Sequence, residues 1–370
     1  MIKILFLIHD LGQGGAEKVL VNLVNHMDRT KFDISVTVLF GGGVNEQFLA
    51  PDIKFKAVFP QMIPGNSHWM KLLTPRQLHA LCVKEKYDVE VSFLEGPSVR
   101  VISGCPFEET KLVSWVHSTV QNQKDFAESF RNKSEAECCY GKMDQMIFVS
   151  EAVRNAFLMH CVYEGKTEVC YNLIESEKIR KLAAESVTEF GNESIRLVTA
   201  GTLKNVKGFD RLLRIMKKLK EDNLSAHLYI LGRGPLQKTF EQYIIENNLA
   251  EYVTLLGYQI NPYKYIGKSD LYICSSLSEG FSTAVMEAIT IGVPICTVDV
   301  SGMKEILGDN SEYGLITENN EDSLYLGIKN ILNNDELRKH YRKKAVERGE
   351  MFQMSIAVEK VEETLLELQR

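Results

Sequence analysis

Short apolar runs that end in glycine or polar residues, and then give way to an amphipathic helix, recur from one end of this chain to the other. Continuous apolar runs of this length are what parallel strands buried on both faces require. Ile2–Ile8 predicts a strand, 16–27 a helix, and 34–40 a second strand closed by Gly41, Gly42 and Gly43. Further strands are expected at 89–93, Lys111–Val116 and 145–149, with Ser150 capping a helix over 150–159. The second half repeats the rhythm. A strand at 195–200 precedes a helix over 208–220, in which Phe209, Leu212, Leu213, Met216 and Leu219 share one face. Strands follow at 226–231, 253–256, Leu271–Cys274 and 294–298. The rhythm predicts an α/β chain with two doubly wound parallel sheets. The join falls near 172–186, after a short strand at 168–171, giving domains at 1–175 and 176–353 and a final charged helix over 354–370.

The 370 residues suffice for two such domains. A net charge of −6 does not suit a chain that must neutralise a nucleic-acid backbone, so no nucleic-acid partner is expected. The eight cysteines include no Cys-x-x-Cys spacing, and Cys82, Cys105, Cys274 and Cys296 lie in or beside apolar runs. Neither a disulfide framework nor structural zinc is expected, and a reduced, cytoplasmic compartment fits. No run reaches the roughly 18 apolar residues of a membrane helix, so any membrane contact is expected to be peripheral.

Four places carry candidate chemistry, all where a strand ends. In open α/β sheets ligands bind beyond those ends. Gly12, Gly14 and Gly15 follow the first strand and open a helix, where backbone amides could approach an anion. A dinucleotide site would need a glycine at Glu17 and an acid near Phe40, so that reading is weak; a turn without ligand is the alternative. Lys207, in Gly201-Thr202-Leu203-Lys204-Asn205-Val206-Lys207-Gly208, is expected in the first helical turn. A cation there is misplaced for the helix dipole unless it holds a phosphate; the alternative is a solvated lysine. Glu279 and Glu287 flank Gly280-Phe281-Ser282-Thr283. A helix starting near Thr283 would leave Glu279 in the loop and Glu287 one turn in, with the amides of Ser282, Thr283 and Ala284 facing an anion. Two carboxylates with a ring of amides suit a sugar diphosphate; the alternative is a capped helix with surface glutamates. His117 ends the strand Lys111–Val116, and a structural histidine is its alternative reading.

Together these residues, with Gly232-Arg233-Gly234-Pro235, Gly257-Tyr258, Gly302 and Glu305, resemble glycosyltransferase family 4. The likeness runs nearly the whole chain in order. It implies a GT-B fold, two Rossmann-like domains facing a cleft, with the last helix crossing back to the first domain. It implies that Lys207 binds the donor diphosphate, that Glu287 holds the ribose, and that Glu279 and His117 lie beside the donor sugar. Gly14, Gly15, Thr202, Tyr258, Gly280, Phe281, Ser282 and Thr283 complete the implied donor site. The family's usual arginine is replaced by Thr202, and Arg233 is a candidate substitute cation.

The resemblance implies a retaining transferase that moves a hexose or N-acetylhexosamine from a nucleotide sugar, most often a UDP-sugar, to a hydroxyl. The acceptor expected is a glycan or a lipid-linked glycan in surface polysaccharide synthesis. No Asp-x-Asp occurs, so no essential metal and no other cofactor are expected. An epimerase or phosphorylase on the same scaffold, or a binding subunit without turnover, are the rival readings. Basic residues 204, 207, 211, 214 and 218 could meet an anionic membrane surface at its inner face, with simple solubilising charges as the alternative; the apolar-basic stretch from Trp69 to Arg76 could touch a lipid carrier, with a helix packed on the domain as the alternative.

Overall fold

The computed structural model describes every residue except Pro64, Asn192, Glu193, Ser194 and Arg370, and omits the side chains of Asn66 and Ser67. The expected final helix was to end at Arg370, outside the described residues. The chain divides into two compact units, Met1–Leu173 with Ser355–Arg370, and Ile174–Met354.

The first unit holds a seven-stranded parallel sheet: β1 (Ile2–Ile8), β2 (Phe32–Phe40), β3 (Lys54–Phe59), β4 (Val89–Ser92), β5 (Lys111–Val116), β6 (Gln145–Phe148) and β7 (Lys166–Val169). Their order is β3-β2-β1-β4-β5-β6-β7. The direction of winding reverses between β1 and β4, the topological switch point. Residues 4–8 of β1 are at most 1% exposed, which explains the unbroken apolar run. Ser150 caps the helix Glu151–Leu158 by accepting from Val153 N at 3.1 Å. The helix Met354–Glu367 packs on this unit, where Glu362 accepts from Asp28 N at 2.6 Å and pairs with Lys31 at 2.8 Å.

The second unit repeats the plan with six parallel strands: β8 (Arg196–Ala200), β9 (His227–Leu231), β10 (Val253–Gly257), β11 (Leu271–Cys274), β12 (Ile295–Val298) and β13 (Leu315–Thr317). Their order is β10-β9-β8-β11-β12-β13, so its switch point lies between β8 and β11. The helix Phe209–Glu221 buries the face expected of it against these strands. Two strands, β3 and β13, are not foreseen by the apolar pattern. Both are edge strands: β3 alternates Lys-Phe-Lys and is largely exposed, and β13 has three residues. All eight cysteines are free thiols.

Candidate active site

In the second unit the switch point brings together the loops after β8 and β11. Lys207 does not stand in the first turn of a helix. It ends a single 3-10 turn, Asn205–Lys207, and the helix begins at Phe209. Gly208 between them has φ +62, and a Cβ there would lie 2.0 Å from Ser275 O. Only glycine allows this turn to press against the β11 loop. The approach is reinforced by Leu277 N donating to Val206 O at 2.7 Å and Ser275 Oγ donating to Lys207 O at 2.9 Å. Arg211, 5% exposed, donates to Ser275 O, Ser276 O and Asn319 Oδ1, each at 2.8 Å.

This clamp sets Lys207 Nζ 2.6 Å from Glu279 Oε1, which also accepts from Ser276 Oγ at 2.5 Å. Desolvation alone would lower the Lys207 pKa, but the adjacent Glu279 carboxylate overrides it and the net shift is upward. The lysine is therefore a fixed cation at neutral pH.

The helix Thr283–Ile291 starts where expected, and Ser282 at its N-cap makes no side-chain capping bond. Glu287 is no surface glutamate. It is 7% exposed and accepts from the buried Tyr263 Oη at 3.1 Å. Tyr263 had no sequence signal beyond an aromatic in a polar stretch. Gly302, at φ +78, lies under Gly280 and Phe281; a Cβ would sit 2.6 Å from Gly280 O.

Thr202 stands in the loop after β8, against the Arg233 loop. Leu203 N donates to Arg233 O at 3.1 Å, and a Cβ on Gly232 would lie 2.0 Å from Gly201 O. The backbones of the Thr202 and Arg233 loops are thus pressed together, while a Cβ on Gly257 would lie 3.5 Å from Arg233 Nε. Tyr258 is half-exposed after the edge strand β10, two strands from β8. On the helix Phe209–Glu221, Arg211 is buried, Arg214 pairs with Asp210 and Glu321, and Lys218 pairs with Glu321 and Asp322, while Lys217 is exposed.

In the first unit His117 follows β5 and is 8% exposed. Its ring packs 4.6 Å from Phe93 and 5.8 Å from Trp115, and its backbone N donates to Glu95 Oε2 at 2.9 Å. Nε2 is buried with no hydrogen-bond partner among the described residues. Burial pushes the imidazole pKa down to about 3. His117 is a neutral hydrogen-bonding group, and a buried unpaired nitrogen of this kind calls for a partner. Around Gly14 and Gly15 the picture differs from an open anion cradle. Asp10 Oδ1 accepts from Gly12 N at 2.7 Å, and a Cβ on Gly14 would lie 2.2 Å from Glu17 Oε2. The chain's own carboxylates crowd this loop.

Two family models match the chain: "Glycosyltransferase Family 4" over residues 13–178 and "Glycosyl transferases group 1" over residues 183–348. The N-acetylgalactosamine-N,N'-diacetylbacillosaminyl-diphospho-undecaprenol 4-alpha-N-acetylgalactosaminyltransferase of Campylobacter jejuni is 30% identical over 362 residues, covering 95% of this chain and 96% of that protein. The crystal structure of HepE from Anabaena in complex with UDP-glucose matches with a TM-score of 0.77 at 19% identity, over 99% of this chain and 100% of that one. Sucrose-phosphate synthase from Thermosynechococcus elongatus matches with a TM-score of 0.79 at 16% identity, over 99% of both chains. With two parallel-sheet units, a loop pair at the second switch point and these relatives, the chain belongs to glycosyltransferase family 4, the group 1 glycosyl transferases, and is a glycosyltransferase of GT-B fold.

Proposed function

We propose that the chain is a retaining transferase that moves a hexose or N-acetylhexosamine from a UDP-sugar to a hydroxyl of a lipid-linked glycan, in the building of a surface polysaccharide. The observation that carries the donor half of this reading is the Lys207–Glu279 pair, held at the switch point with Glu287 one turn into the next helix. Lys207 and the amides ahead of Thr283 receive the diphosphate, and Glu287, oriented by Tyr263, accepts from the ribose hydroxyls. In the reaction the anomeric C–O bond to the diphosphate breaks, a new C–O bond forms to the acceptor oxygen, and the acceptor's proton leaves with the diphosphate. Charge grows on the leaving group, so a fixed ammonium stabilises the transition state more than the ground state. With the cation supplied by protein, no metal is required and none is proposed for catalysis. Glu279 and neutral His117 contact the donor sugar.

The acceptor half rests on the Campylobacter relative, whose name specifies a diphospho-undecaprenol substrate. No helix among the described residues is long and apolar enough to cross a membrane. Leu72, 80% exposed, ends a short helix on the first unit, and a peripheral contact with the inner membrane surface is proposed there.

The deciding experiment is a thermal-shift panel with UDP, GDP, ADP and CDP on the wild type and on Glu287→Ala. A ligand at 100 times its Kd adds about 2.7 kcal/mol of stability. A shift with UDP that Glu287→Ala loses supports the reading; a shift with another nucleotide alone overturns the UDP assignment. Anomeric NMR of the product then tests retention, and inversion would refute it.

A further inference from the structure

The first unit contains a buried side-chain cluster that the transfer reaction does not use. Glu90 stands in β4, near the centre of the sheet, and its side chain is 0% exposed. Its register partners on both neighbouring strands are apolar, Leu5 on β1 and Leu112 on β5. No lysine or arginine among the described residues reaches it. Its partners are His79, whose Nε2 lies 2.9 and 3.2 Å from the two carboxylate oxygens, and Cys105, whose Sγ lies 3.6 Å from Oε1. A carboxylate so deep is costly unless a positive charge compensates it.

Three separate elements converge to make the cluster. His79 lies on the helix Pro75–Cys82, started by a capping box of Thr74 and Gln77 with Pro75 in the first turn. Cys105 follows the helix Pro97–Ile102, and its N donates back to Ile102 O at 3.0 Å. Gly104, just before it, packs so tightly on the start of the first helix that a Cβ would lie 2.0 Å from Pro75 O. That contact holds the turn before Cys105 against the start of the helix that carries His79. The three donor atoms all lie within 4.8 Å of one another.

We propose that His79, Glu90 and Cys105 form a zinc site, with water from the partly exposed Cys105 side as the fourth ligand. A tetrahedral zinc ion with nitrogen, oxygen and sulfur ligands at about 2.0–2.3 Å spaces its donors roughly 3.3–3.7 Å apart. The Cys105–Glu90 separation already matches that edge, and the His79–Glu90 separation must open by a few tenths of an ångström. A nitrogen, oxygen and thiolate set selects a late divalent transition metal over magnesium or calcium. Binding converts the Cys105 thiol to thiolate, and its proton is released to solvent. The ion would compensate Glu90 and staple the two helices to the sheet. It lies wholly within the first unit, whereas Lys207 and Glu279 belong to the second, and its role is structural.

The test is metal binding by the intact purified chain. After exhaustive chelation, Zn²⁺ and Co²⁺ are titrated separately, with metal content measured after gel filtration. The expected result is one ion per chain and, with Co²⁺, a thiolate-to-cobalt charge-transfer band. Cys105→Ser should abolish the band and weaken zinc binding by at least ~100-fold, more than loss of an outer-shell partner costs; Cys138→Ser, at an exposed cysteine, should change neither. Wild-type chain that retains no stoichiometric metal and shows no cobalt band would overturn the proposal in favour of an imidazolium–carboxylate pair. A band that survives in Cys105→Ser would overturn the ligand assignment. Because the wild-type titrations decide the matter, poor folding of a variant would not rescue the idea.

Discussion

Lys207 Nζ rests 2.6 Å from Glu279 Oε1, so the cation proposed to meet the donor diphosphate is neutralised by the carboxylate proposed to meet the donor sugar. The pair prevents an isolated buried charge while no donor is bound, and the diphosphate must compete for the lysine. Removing either partner should therefore do different things. Lys207→Ala should lower kcat by ~10²–10³, the usual effect of deleting one fixed stabiliser of a developing anion. Glu279→Gln should lower kcat while retaining the nucleotide-induced thermal shift. Steady-state kinetics beside thermal shifts check both, and unchanged kcat in Lys207→Ala would remove the lysine from the mechanism.

The same pair fixes a pH dependence. The folded-state pKa of Lys207 is raised above its ordinary 10.5, against the lowering that desolvation alone would bring. A raised cation contributes stability that is complete below the unfolded value and is lost as pH rises through the folded value. Neither donor binding nor stability should lose a lysine-dependent contribution between neutral pH and about 10. Comparing the pH profiles of wild type and Lys207→Met checks this, and a wild-type loss near pH 8 absent from the variant would contradict it.

His117 behaves in the opposite sense. Burial takes its pKa from 6.5 down to about 3. The unfolded chain then binds a proton that the native chain refuses, so stability is unaffected above about 6.5 and falls as pH drops from there toward 3. The slope should be roughly 1.4 kcal/mol per pH unit for this one group. His117→Gln should remove that increment. Urea unfolding of both proteins from pH 4 to 7 measures it, and an NMR titration of His117 with a midpoint near 6 would disprove a neutral role.

Thr202 and Arg233 make a reciprocal pair of expectations. If Arg233 supplies the missing cation, Arg233→Ala should lower kcat by ~10². Thr202→Arg in that background should restore a substantial part, because the two loops touch through Leu203 N and Arg233 O at 3.1 Å. Rescue in the double variant is the decisive measurement. Equal activity of Arg233→Ala and wild type would leave the threonine uncompensated.

The parallel doubly wound class and the positions of Lys207, Glu279 and His117 in loops after strands were legible because buried parallel strands write continuous apolar runs and ligand loops must follow them. β3 was not, because an edge strand with Lys54 and Lys56 has no apolar run to show. Tyr263 on Glu287 and the Asp10 and Glu17 carboxylates around the glycine loop are contacts set by tertiary packing, to which local pattern is blind. The cluster of His79, Glu90 and Cys105 joins a helix, a strand and a turn at spacings that match no zinc motif, and so the absence of Cys-x-x-Cys carried no information about it.

Arg211 gives the last expectation. It touches none of the candidate donor groups, yet its guanidinium spans the carbonyls of Ser275 and Ser276 and the Asn319 amide, while Asn319 Nδ2 donates to Leu277 O at 3.3 Å. It is a positioning residue: it fixes the loop from which Ser275 and Glu279 reach Lys207. Arg211→Ala strands two buried carbonyls at about 1–3 kcal/mol each, so stability should fall. A merely structural role would stop there. A positioning role should also lower kcat at temperatures where the variant is fully folded, with KM for the donor changed much less. Arg211→Lys, which retains the charge but loses the planar fork, should recover stability more than kcat. Loss of stability with kcat intact in both variants would reduce Arg211 to a packing element.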